Sequence, residues 1–134
     1  MTEAEILEGV RSAVIEALGL EPDEVKPTST IMGELGAESI DLLDILYRLE
    51  RKVGVKIKAA DLSAHLQGDI PEGEFDDEND LVKPAAIKHL KAIMPQYDFD
   101  AMLGTLTAPE VVRLFTVQNL ADLAAARRET PATA

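Results

Sequence analysis

Apolar residues recur every three or four positions along this chain, and that spacing restricts it to helices. Ile6, Val10, Val14 and Leu18 repeat every four residues, with Leu7 and Ile15 beside them, so residues 2–18 carry one apolar stripe. Thr2 and Glu5 have the spacing of a reciprocal N-terminal cap. Gly19 suits the C-terminal end, and Pro22 prevents restart. Ile40, Leu43, Leu46 and Leu49, widened by Leu42 and Ile45, give a second stripe over residues 40–52, stopped by Gly54. Aromatics are only 4% and there is no Trp, which favours helix over sheet. The expected fold class is all-α, a small helical bundle formed by one domain over residues 1–134.

Between these helices, residues 20–38 form a long loop with Pro22, Pro27, Gly33 and Gly36. Val25, Ile31, Met32 and Leu35 are spaced to pin it to the helices. Residues 55–57 read as a short extended piece. From Asp61 to Asp80 the chain holds eight carboxylates and no Lys or Arg, with Gly68, Pro71 and Gly73 inside it, so most of this stretch is expected to be loop. Residues 84–94 read as a helix with Pro84 at its start and Ile87, Leu90, Ile93 and Met94 on its apolar face. A short helical turn is expected within residues 97–106. Thr107 and Glu110 repeat the capping spacing, and Thr116 suits the N-cap of a last helix ending near residue 126. The small, polar residues 128–134 are expected to fray.

The formal charge of −12 repels nucleic acid and anionic lipid and attracts proteins with basic patches. There is no Cys, so thiol chemistry requires an added group. The N-terminus has no basic and apolar signal pattern, and no apolar run spans a bilayer, so a cytoplasmic location is expected. A calcium loop starting at Asp76 would lack its central Gly and terminal Glu, so the run Glu72, Glu74, Asp76, Asp77, Glu78 and Asp80 reads as solvated surface. His65 and His89 read as boundary residues; no metal site is expected. Ser39 lacks the small neighbours of a hydrolase nucleophile, so no catalytic residue is expected.

The segment Gly36-Ala37-Glu38-Ser39-Ile40-Asp41 places a Ser where a Gly-containing loop enters an amphipathic helix. Free backbone N–H groups and the positive end of the helix dipole suit a phosphate ester there. Glu34, Glu38, Asp41 and Asp44 surround that position and offer a docking surface for a basic partner. Leu35-Gly36-Ala37-Glu38-Ser39-Ile40-Asp41, followed by Leu42-Leu43-Asp44-Ile45-Leu46 and Gly54-Val55-Lys56-Ile57, resembles the acyl carrier protein family, as does Phe115-Thr116-Val117 near the C-terminal end. The resemblance covers about 80 of 134 residues. It departs at Glu38, where Asp is usual, and at Ile40, where Leu is usual.

The resemblance implies an acyl-carrier-like bundle with 4′-phosphopantetheine on Ser39, transferred from coenzyme A by a holo-acyl-carrier-protein synthase or other phosphopantetheinyl transferase. It implies acyl synthases and acyltransferases with basic docking patches as partners, a monomeric state, and an apolar chain sheltered between helices. Residues 58–106 are far longer than the family's usual crossing and read as an insertion that packs on the bundle. Carriers for fatty acids, or for specialised lipids such as those of lipopolysaccharide, are the members it most resembles. A carrier for an aminoacyl or polyketide unit, and an unmodified interaction module on the same fold, are the alternatives.

Overall fold

A computed structural model describes residues 2–71 and 73–129. Among them are seven α-helices and no strand. They are α1 (Glu3–Leu18), α2 (Ser39–Val53), α3 (Ala59–Gln67), α4 (Pro84–Ile93), α5 (Phe99–Met102), α6 (Ala108–Leu114) and α7 (Val117–Glu129). A single 3₁₀ turn, Pro22–Glu24, sits in the long loop after α1.

The helix ends follow local chemistry. The Thr2 Oγ1 accepts from the Glu5 N–H at 3.2 Å, and the Glu5 carboxylate accepts from the Thr2 N–H at 2.9 Å. Gly19 and Gly54 end α1 and α2 in the left-handed conformation. At α6, the Thr107 N–H donates to Glu110 at 3.0 Å. Thr116 caps α7, with Asn119 N–H donating to its hydroxyl at 3.1 Å.

α1 packs against both α2 and α7. Ile6, Val10, Ala13 and Val14 are its buried face, and they meet Ile45, Leu46, Leu49 and Val53 of α2 and Leu120, Leu123 and Ala124 of α7 in one core. A Cβ at Gly9 would lie 2.5 Å from Val53 Cγ2, so the close approach of α1 and α2 depends on a glycine there. Glu16 ties the same pair of helices from outside, accepting from Lys52 at 2.5 Å and Arg48 at 3.2 Å.

Residues beyond α2 complete the core. Leu62 and Leu66 of α3, Phe75, Val82, Ile87 and Leu90 of α4, Met94, Phe99 of α5 and Leu106 are all buried in the same cluster. The stretch after Ile57 therefore packs on the bundle, as its helical apolar spacing predicts. Phe99 stacks edge-on against Tyr97, ring centroids 5.7 Å apart.

Three expectations are revised. The acidic stretch is not mostly loop at its start, because α3 occupies residues 59–67. Its charges sit outside while Leu62 and Leu66, one turn apart, face in. The second helix begins at Ser39 and ends at Val53. The last helix continues to Glu129, past the expected end near residue 126; residues 130–134, like Glu72 of the acidic run, lie outside the described residues.

Candidate functional site

The loop before α2 is tied down from behind. The Ile31 N–H donates to the Phe115 carbonyl at 3.1 Å, and the Val117 N–H donates to the Ser29 carbonyl at 3.0 Å. Thr30 and Thr116 form an isolated antiparallel bridge between these bonds. Within the loop, Leu35 N–H donates to Thr30 and Ala37 N–H to Ile31. Ile31 and Ala37 are buried, so the chain is anchored two residues before Ser39. Gly36 makes the final bend at φ +73°, a conformation that any side chain would strain.

Ser39 emerges from this anchor as the first residue of α2, exposed, with no hydrogen bond from its hydroxyl among the described residues. It is not the helix cap. Glu38 holds that place, in extended conformation, and its N–H donates to Asp41 Oδ2 at 2.9 Å. A Ser hydroxyl that caps a helix is spent on the backbone; this one is free to be esterified. The residues fit a phosphate ester: the hydroxyl is accessible, and the dipole of the 15-residue helix α2 presents its positive end there.

The four carboxylates predicted around Ser39 differ in their engagement. Glu38 is exposed at the cap. Asp41 folds back on the Glu38 N–H. Asp44 pairs with Arg48 at 3.0 Å. Glu34 lies on the preceding loop and accepts from the Thr30 N–H at 3.2 Å, which adds a structural task to its negative charge.

His65 and His89 are brought together, which no spacing in the sequence foretells. The His89 Nε2–H donates to the His65 carbonyl at 2.8 Å, joining α3 to α4. The His65 ring meets Phe115 edge-on at 6.3 Å. Burial pushes the His65 imidazole below its ordinary value of 6.5, and the field of His89 acts the same way against Asp122 of α7. Its folded-state pKa is thus below the unfolded one, so its share of stability is present above pH 6.5 and is lost as pH falls below it. Glu16 and Glu110, held below their ordinary 4.5 chiefly by the Lys52 and Thr107 hydrogen bonds respectively, add losses only at lower pH. His65→Gln should therefore flatten the melting temperature between pH 7.5 and 5.5 while leaving the steep fall below 4.5, read by thermal denaturation across that range. An unchanged profile would contradict it. Among the described residues no group of three or more His, Asp or Glu is placed to hold a metal ion.

The family model for the phosphopantetheine attachment site matches residues 8–67, from α1 through α3. An acyl carrier protein of Campylobacter hominis is 43% identical over 53 residues, 40% of this chain and 67% of that protein. An acyl carrier protein of Chlorobium phaeobacteroides is 36% identical over 61 residues, 46% of this chain and 78% of that protein.

The chain belongs to the acyl carrier protein family. No solved structure matches it at a significant level. The carrier's prosthetic group is 4′-phosphopantetheine, and its role is to carry rather than to catalyse. Membership of this family implies interaction with a phosphopantetheinyl transferase and with synthases. No helix among the described residues is long and apolar enough to cross a membrane.

Proposed function

We propose that Ser39 bears the phosphopantetheine and that the protein carries acyl units for fatty-acid or specialised lipid synthesis in the cytoplasm. The observation that carries this reading is the exposed, unbonded Ser39 hydroxyl at the start of α2, behind an anchored loop and inside the matched segment. When bound, the group supplies a thiol that holds the acyl unit as a thioester. Gly36 and the buried Ala37 fix where the arm leaves the protein. Glu38 and Asp41, with Glu34 and Asp44 behind them, present negative charge to a basic enzyme surface.

A narrow apolar crevice lies between Met32, Leu42, Leu62, Leu66, Val112 and Phe115. Its volume of about 10 Å³ is roughly that of one water, so its walls must part to shelter a chain. Leu62 and Leu66 come from α3 and Val112 from α6, so the stretch beyond α2 helps to shape it. Because the matched segment runs through α3, we read the added material as residues 68–106, a narrower span than 58–106.

Incubation with a phosphopantetheinyl transferase and coenzyme A should add one phosphopantetheine mass, detected by intact mass spectrometry. No mass gain with several transferases would remove the reading.

A further inference from the structure

Four large hydrophobic residues are exposed among the described residues, and three of them lie on one face of α2: Ile40 (72%), Leu43 (53%) and Tyr47 (57%). Their spacing of three and four makes a single strip running away from Ser39. Charges along α2 are unevenly distributed beside it. Glu38, Asp41 and Asp44 flank its start, whereas Arg48, Arg51 and Lys52, with Glu50 among them, flank its end.

The basic residues are not equivalent. Arg48 and Lys52 are both committed to Glu16. Arg51 has no carboxylate partner among the described residues and instead lies over the Tyr47 ring, 5.9 Å from its centroid. Tyr47 also forms the wall between two surface hollows. One, of about 380 Å³, is lined by Arg48, Arg51 and Lys52 together with Glu16 and Asp44; the other, of about 240 Å³, has Lys56, Lys58 and Glu50 on its rim. Cations outnumber carboxylates on both sides of this aromatic ridge, three to two in the first hollow and two to one in the second.

We propose that Tyr47 and Arg51 set partner specificity by admitting an enzyme whose docking surface is dipolar. Such a surface has an apolar cup for Ile40, Leu43 and Tyr47, cations opposite Glu38 and Asp41, and a carboxylate opposite Arg51. A uniformly basic docking patch meets Arg51 with a like charge and loses there part of what it gains at Glu38 and Asp41. A second copy of the chain is a poor occupant, because each copy carries −12 and three apolar side chains fall far short of a stable interface. A strip this small suits brief encounters. The inference rests on the carrier reading of Ser39, but its test does not require the arm.

Two synthetic amphipathic peptides of equal length and identical apolar stripe serve as probes. One carries Lys throughout, the other Lys in one half and Glu in the other. Each is titrated into the full-length ¹⁵N-labelled protein. The dipolar peptide should bind wild type roughly fivefold more tightly than the all-Lys peptide, moving the signals of residues 40–51. Arg51→Glu should reverse that order, and Arg51→Gln should level it. Tighter binding of the all-Lys peptide to wild type, an order unchanged by Arg51→Glu, binding of neither peptide, or concentration-dependent self-association through residues 40–51 would each overturn the proposal. Ser39→Ala should behave as wild type, so failure here leaves the attachment reading untouched.

Discussion

Phe99→Ala should destabilise the protein by about 3–5 kcal/mol, lowering its melting temperature by more than about 10 °C. Phe99 is fully buried although its helix, α5, has only four residues. A four-residue helix has no stability of its own. What holds it is the ring, which packs against Tyr97 and joins the common core. The Asp98 carboxylate adds a cap, accepting from the Ala101 N–H at 3.3 Å. Leu103→Ala is the matched control, because Leu103 lies in the same segment at 47% exposure and its truncation should cost at most about 1 kcal/mol. Chemical denaturation of both variants decides the matter. Equal, small losses would mean that α5 contributes nothing to the core.

Asn119→Ala should cost about 2–4 kcal/mol, although it removes no apolar contact of consequence. Asn119 is 2% exposed, and its Oδ1 accepts from the Thr116 N–H at 3.1 Å, the Thr116 hydroxyl at 2.9 Å and the Gln96 amide at 2.7 Å. Its amide donates to the Ile93 carbonyl at 3.4 Å. Truncation leaves the buried Thr116 N–H unsatisfied at the start of α7 and unties α7 from the end of α4. The effect should reach the site, because Phe115 and Val117 hold the loop before α2. Hydrogen exchange at the Ile31 and Val117 amides should quicken along with the loss in urea stability. A loss under about 0.5 kcal/mol, with both amides still protected, would contradict this account.

These two residues mark where sequence reasoning stops. α1, α2, α4 and the start of α7 are legible because their signals are local: a stripe, a cap and a terminating Gly or Pro. The Asn119 network is tertiary, and no spacing places Gln96 beside it. The contact of His65 with His89 is hidden for the same reason, as is the bracing of α2 by Glu16. α3 was legible in principle. Leu62 and Leu66 have helical spacing, and Asp61 accepts from the Lys58 N–H at 2.9 Å at the helix start, but the many carboxylates of that stretch mask this short signal. At the site, the position of Ser39 was legible from the Gly-Ala-Glu-Ser segment. Its role as first helical residue instead of cap was not, because Glu is an uncommon N-cap. Tyr47 and Arg51 stand one turn apart in the sequence, yet their significance depends on both side chains being exposed beside an apolar strip.

The central claim is that Ser39 is where the carrier accepts its prosthetic group. Tandem mass spectrometry of the protein after treatment with a phosphopantetheinyl transferase and coenzyme A tests it most directly, with Ser39→Ala run in parallel. The account predicts one phosphopantetheine, on the peptide containing Ser39, and none on Ser39→Ala, although Ser63 is also exposed. Modification located on another residue, or a mass gain that survives Ser39→Ala, would contradict it.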